Sequence, residues 1–184
     1  MVVLNDEIHS ARWVQKSHTS LTSAFTSPGT GNMGFVAEGR VSLMMTPRRT
    51  LSPIQGPLRN DGAVALVSLG LGEDARLLPV LPQLGYTGVV IEGMGAGHVP
   101  AKCVDAIATL ATQMPVVLCT RVRGGRVFTQ TYGFAGSEMD LLAKGVTPCG
   151  HLSASKARLL LSLLLASGAS PQGIRAAFAD TTRL

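Results

Sequence analysis

Between Tyr86 and Pro100 the chain reads YTGVVIEGMGAGHVP, and this stretch limits the fold more than any other. Thr87 to Ile91 is a short β-branched run, the pattern of a strand covered on both faces. It empties into Glu92-Gly93-Met94-Gly95-Ala96-Gly97, with a glycine at every second position. Backbone without Cβ can approach another group closely there. His98 is placed to cap a helix that Pro100 begins. Strand, glycine turn and helix start together predict the carboxyl edge of a parallel sheet, where open α/β folds keep their ligands.

The segments around it repeat the pattern. Ala63–Leu69 and Pro115–Thr120 read as further buried strands, and Ala101–Ala111 as a helix with Val104, Ile107, Leu110 and Ala111 on one face. Glu73-Asp74 can cap another helix, which Pro79 and Pro82 would kink or shorten. Strands alternating with helices at this spacing predict a parallel sheet with right-handed crossovers. Near the end, Ser153 or Ser155 caps Lys156–Ala166, closed by Gly168, and Ser170-Pro171 opens Gln172–Ala179. Leucines wrap most of the first of these helices, which predicts cover on two sides and argues for a homo-oligomer.

The first third is different. Met1–Leu4 is strand-like, Asn5 and Asp6 turn it, and Arg12–Val14 is expected to be a second short extended piece. From Ser17 the chain is polar, with Phe25 its large apolar anchor. Gly34–Met45 alternates as a hairpin around Glu38-Gly39. Proline and aperiodic sequence then predict a linker, giving 1–46 as one unit, 47–61 as linker and 62–184 as a second unit.

Composition excludes some functions. The net charge of +5 is dispersed, and with 4% aromatics it does not make a nucleic-acid platform. The three cysteines, Cys103, Cys119 and Cys149, have no paired spacing and read as reduced core thiols of a cytoplasmic protein. No apolar run is long enough for a membrane span, and the acidic start is unlike a secretion signal. His9, His18 and His151 have no metal-ligand spacing, so neither a metal nor another cofactor is expected.

Three blocks resemble bacterial L-asparaginases and related glutaminases. They are Val2–Ile8 with Val14–Thr19, Gly88–His98, and Gly150–Ser153 through Lys156–Arg158, in the family's order and spanning nearly the whole chain. The resemblance implies an α/β fold: a flavodoxin-like parallel-sheet C-terminal domain preceded by the end of an N-terminal α/β domain. It also implies hydrolysis of L-asparagine to L-aspartate and ammonia. The family's nucleophilic threonines lie in a TGGT-type turn and a GTDT-type loop, and neither motif occurs in these residues. The expectation is therefore a truncated amidohydrolase, inactive alone.

Of the family's catalytic set, Lys16 matches the lysine that serves a threonine nucleophile. A lysine of lowered pKa beside a hydroxyl can take its proton. His98 falls where many members have an asparagine that reaches a neighbouring subunit's site. Tyr132 falls where others have a glutamate that binds the substrate's amino group. Taken singly, Lys16 is also a plain surface cation, His98 a helix cap and Tyr132 a packing residue. Two other functions stay open: an asparagine-sensing or subunit-pairing module, and a nucleotide site on the glycine turn. The turn lacks the later glycine of the dinucleotide fingerprint, which weighs against the second.

Overall fold

Backbone pairing in the computed structural model, which describes residues 1–46, 54, 57–59 and 63–181, gives three sheets among the described residues. Contacts divide the chain into Met1–Arg49 and Thr50–Leu184. The linker expected over 47–61 falls, apart from 54 and 57–59, outside the described residues.

In the first unit, β1 (Val2–Leu4), β2 (Glu7–His9), β5 (Gly34–Ala37) and β6 (Arg40–Leu43) form an antiparallel sheet in the order β1-β2-β5-β6. Asn5 and Asp6 turn β1 into β2 with φ of 51° and 59°, and Glu38-Gly39 turn β5 into β6 with 51° and 70°. Both pairs hold positive φ twice in succession, which matches the twist of a two-residue hairpin. The expected extended piece at Arg12–Val14 is instead a turn: Trp13 and Val14 both donate N–H to the Ser10 carbonyl. The strand follows it, β3 (Gln15–Lys16), paired antiparallel with β4 (Phe25–Thr26).

The second unit carries the parallel sheet. Its strands are β7 (Ala63–Ser68), β8 (Tyr86–Gly93), β9 (Val116–Thr120) and β10 (Thr147–Pro148), in the order β10-β9-β8-β7 and all parallel. Val89, Val90 and Ile91 are buried, as a strand covered on both faces requires. Helix α1 (Val104–Ala111) packs on β9 and turns Val104, Ile107 and Leu110 inward. A single 3-10 turn, Ala101–Cys103, precedes it, and Pro100 stands at the cap of that turn rather than inside the helix.

A second short helix, α2, covers Glu138–Ala143. Helix α3 (Ala154–Ala166) lies across β7, β8 and β9, and α4 (Pro171–Asp180) packs on β10. Of the α3 leucines, Leu161 and Leu164 are buried while Leu159 is 60% exposed, so one face of the helix is covered within this chain. Where a helix capped by Glu73-Asp74 was expected, the chain makes only a 3-10 turn at Leu78–Val80. Asp74 spends its carboxylate on the Arg76 N–H and guanidinium instead, and that pair holds its pKa down at about 2. The three cysteines are free and buried, in line with their reading as core fillers. Among the described residues no helix is long and apolar enough to cross a membrane.

Candidate functional site

The glycine run at the end of β8 folds back on itself. Met94 donates to the His98 carbonyl at 2.8 Å, and His98 donates to the Met94 carbonyl at 2.8 Å, closing a small loop. Gly97 has φ of 109°, and a Cβ there would lie 2.8 Å from Val127 Cγ1. Only glycine holds that backbone without strain. His98 is thereby removed from the cap position expected for it, because its backbone is committed to Met94 and its ring points elsewhere. The nearest strand end joins the same structure: Thr120 Oγ1 donates to the Gly95 carbonyl at 2.5 Å, and Arg121 N–H donates to the Gly93 carbonyl at 3.0 Å.

The loop after β9 brings the partners of His98. Phe128 N–H donates to the Ala96 carbonyl at 3.0 Å, which seats the loop on the glycine turn. Tyr132 then meets the His98 ring edge-on at 5.0 Å between centroids, and Phe134 approaches it at 5.1 Å. These are favourable separations for ring pairs. Tyr132 and Phe134 remain 41% and 53% exposed, so an open aromatic surface stands over a mostly covered imidazole.

Beneath it lies Glu138, fully buried at the start of α2. Its Oε1 accepts N–H bonds from Thr131 at 3.0 Å and Tyr132 at 2.8 Å. Its Oε2 faces His98 Nδ1 at 3.6 Å, an ion-pair distance, and both atoms are buried without a hydrogen-bond partner. Ser137 caps α2 by accepting from Asp140 N–H, and its hydroxyl donates to the Tyr132 carbonyl at 2.7 Å. Asp140 Oδ2 accepts from Gly136 N–H at 2.9 Å, and Lys144 pairs with Oδ1. The Gly136 N–H and the Lys144 ammonium hold the Asp140 carboxyl below the usual carboxylate range.

His98 and Tyr132, named from the sequence, are thus in contact. Lys16 belongs to the first unit, exposed on β3, with its ammonium 5.8 Å from the Phe25 ring centroid, within cation–π range. The same unit buries His9, whose Nδ1 lies 3.0 Å from Ser27 Oγ and whose Nε2 lies 3.4 Å from Glu7 Oε2. Among the described residues no group of three or more His, Cys, Asp or Glu side chains could hold a metal. Glu138, Ser137 and Phe134 were not foreseen. The signal available for two of them was Gly136-Ser137-Glu138, a turn residue, an N-cap and an acid in the first helical turn.

Two domain families match this chain. The glutaminase/asparaginase C-terminal domain covers residues 63–178, and the N-terminal asparaginase domain covers residues 1–49. The chain belongs to the asparaginase/glutaminase family. A probable L-asparaginase of Deinococcus radiodurans is 36% identical over 184 residues, which cover 97% of this chain and 54% of the relative. An L-asparaginase of Bacillus licheniformis is 34% identical over 169 residues, covering 91% of this chain and 51% of that one. A glutamyl-tRNA(Gln) amidotransferase component of Aeropyrum pernix is 30% identical over 175 residues, covering 92% of this chain and 40% of that one. The crystal structure of a probable cytoplasmic L-asparaginase from Campylobacter jejuni superposes with a TM-score of 0.79 at 26% identity, covering 96% of this chain and 54% of that one. The chain therefore spans about half the length of the asparaginase relatives it matches. Within the family, the parallel sheet β7–β10 with its helices is the asparaginase C-terminal domain.

Proposed function

We propose that this chain is the scaffold and substrate-contact portion of an L-asparagine amidohydrolase, with residues 1–46 from the N-terminal domain, 47–61 as linker and 62–184 as the C-terminal domain. In the complete protein a threonine hydroxyl attacks the side-chain amide, ammonia leaves, and water releases L-aspartate. Lys16 takes the proton of the attacking hydroxyl. His98 and Tyr132 contact the substrate of a neighbouring subunit, which makes the working unit a homo-oligomer in the cytoplasm.

The observation that carries this reading is the contact of His98 and Tyr132 at 5.0 Å, on the carboxyl side of β8 and β9 in a chain of this family. Two positions 34 residues apart in sequence supply one surface, with a polar ring edge and a phenol beside it. The alternative within the family is an asparagine-sensing or subunit-pairing module without turnover.

The test is ammonia release from L-asparagine by the purified chain, run beside calorimetry with the same ligand. No ammonia above the blank is expected, because the 184 residues contain neither threonine motif. Turnover at the rate of a complete family enzyme overturns the missing-nucleophile argument. Saturable heat without turnover favours the sensing module.

A further inference from the structure

We propose that Glu138 is a positioning residue: it fixes His98 with a proton on Nδ1 and leaves the Nε2 lone pair to accept a hydrogen bond from a ligand N–H. The last clause rests on the functional reading above, since it takes the ligand to be an amino acid with an ammonium or amide donor. The Nδ1–H tautomer is independent of that reading.

The Nδ1 and Oε2 atoms face one another at 3.6 Å, an ion-pair distance longer than a hydrogen bond, and both are buried with no hydrogen-bond partner. Were Nδ1 unprotonated, two lone pairs would oppose each other in a site that water does not reach, and a buried unsatisfied polar atom is costly. A proton on one of the two atoms removes that opposition. The other oxygen of Glu138 accepts two backbone N–H groups, from Thr131 and Tyr132, and two such donors suit an ionised carboxylate. The proton then belongs to the imidazole. A carboxylate holding a histidine tautomer from behind is the arrangement by which acid–histidine pairs aim the opposite nitrogen outward.

The outward side is the ligand side. A Cβ on Gly95 would lie 3.4 Å from His98 Cδ2 and 3.9 Å from Nε2, so that edge of the ring borders the exposed Gly95 turn. Tyr132 and Phe134 hem the ring without supplying a ring-nitrogen partner. The same carboxylate sets both contacts at once, because the N–H groups that it binds belong to the segment carrying Tyr132. Loop position and imidazole tautomer are thus coupled through one side chain.

The decisive measurement is long-range 1H–15N spectroscopy of the histidine rings in the full 184-residue chain, with His98 assigned from the spectrum of His98→Gln. The wild type is expected to show neutral or charged His98 with Nδ1 protonated, and Nε2 as the lone-pair nitrogen whenever the ring is neutral. Glu138→Gln is the informative variant. Its amide oxygen can still accept from Thr131 and Tyr132, while its NH2 group donates toward Nδ1. The neutral ring should therefore invert to the Nε2–H tautomer, with the fold retained. A wild-type ring in the Nε2–H form overturns the assignment, whether or not the variant folds. So does an inversion that fails to occur in a folded Glu138→Gln chain. Titration of L-asparagine into the wild-type sample tests the functional reading separately: His98 shifts that do not move tell against substrate contact, while the tautomer still judges Glu138.

Discussion

Val99 donates its backbone N–H to the Gly136 carbonyl at 2.9 Å, tying the residue after His98 to the residue before the Ser137 cap. The bond is short-range in space and long-range in sequence. It is what brings the glycine turn and the aromatic loop into one surface. Gly136 makes the approach possible: its φ is 86°, and a Cβ would sit 2.3 Å from the Val99 carbonyl oxygen.

Gly136→Ala should therefore be severe. The left-handed backbone costs a non-glycine residue about 1–2 kcal/mol, and the clash with backbone cannot be relieved by a rotamer change. Losing the Val99 bond adds about 1 kcal/mol. Urea unfolding should show a loss of about 2–3 kcal/mol. A midpoint equal to that of the wild type would mean the loop does not close as described.

Ser137→Ala removes a cap and a buried hydroxyl together. Deleting a helix N-cap costs about 0.5–2 kcal/mol, and here the Tyr132 carbonyl also loses its 2.7 Å donor. The expected loss is about 2 kcal/mol, accompanied by shift changes at Tyr132 in an amide spectrum. Stability within a few tenths of the parent, with Tyr132 unmoved, would contradict the double role.

Much of this architecture was readable in the chain, because buried strands and long helices announce themselves by composition and period. Thr87–Ile91 appears inside β8, and Ser170-Pro171 opens α4 with the Ser170 hydroxyl on the Gly173 N–H. The site was half readable. Resemblance led to His98 and Tyr132, but no local rule says that glycines at 95 and 97 would fold the backbone back and pair His98 with Met94. Helix α2 has six residues and buries only Glu138 and Leu141, too little for an apolar period to show. Glu138 itself looks like an acid complementing a helix N-terminus on the surface. Only the fold reveals that it turns inward to two backbone N–H groups and an imidazole.

The His98–Tyr132 contact should be measurable as a coupling energy. An edge-on ring pair contributes about 0.5–1.5 kcal/mol beyond the area it buries. A double-mutant cycle with His98→Ala and Tyr132→Ala should return a value in that range, since residues in contact fail to add. Tyr132→Phe keeps the ring and should preserve the coupling. Strict additivity of the two alanine variants would show that the rings do not touch in solution.

Acid should loosen the same loop through Asp140. Its carboxylate accepts from Gly136 N–H and pairs with Lys144, so its folded pKa lies below the unfolded value of about 3.9. A depressed carboxylate contributes stability that is present above the unfolded pKa and is lost as pH falls through the folded one. Asp140→Asn removes the charge at every pH, although its amide oxygen can still accept from Gly136. The stability gap between wild type and Asp140→Asn should therefore be full from neutral pH down to about 5 and shrink below about 4. Urea midpoints of both proteins at neutral, mildly acidic and strongly acidic pH supply the comparison. A gap that stays constant through the acid range would show that the Asp140 charge does not help hold Gly136, and with it Val99 and His98, in place.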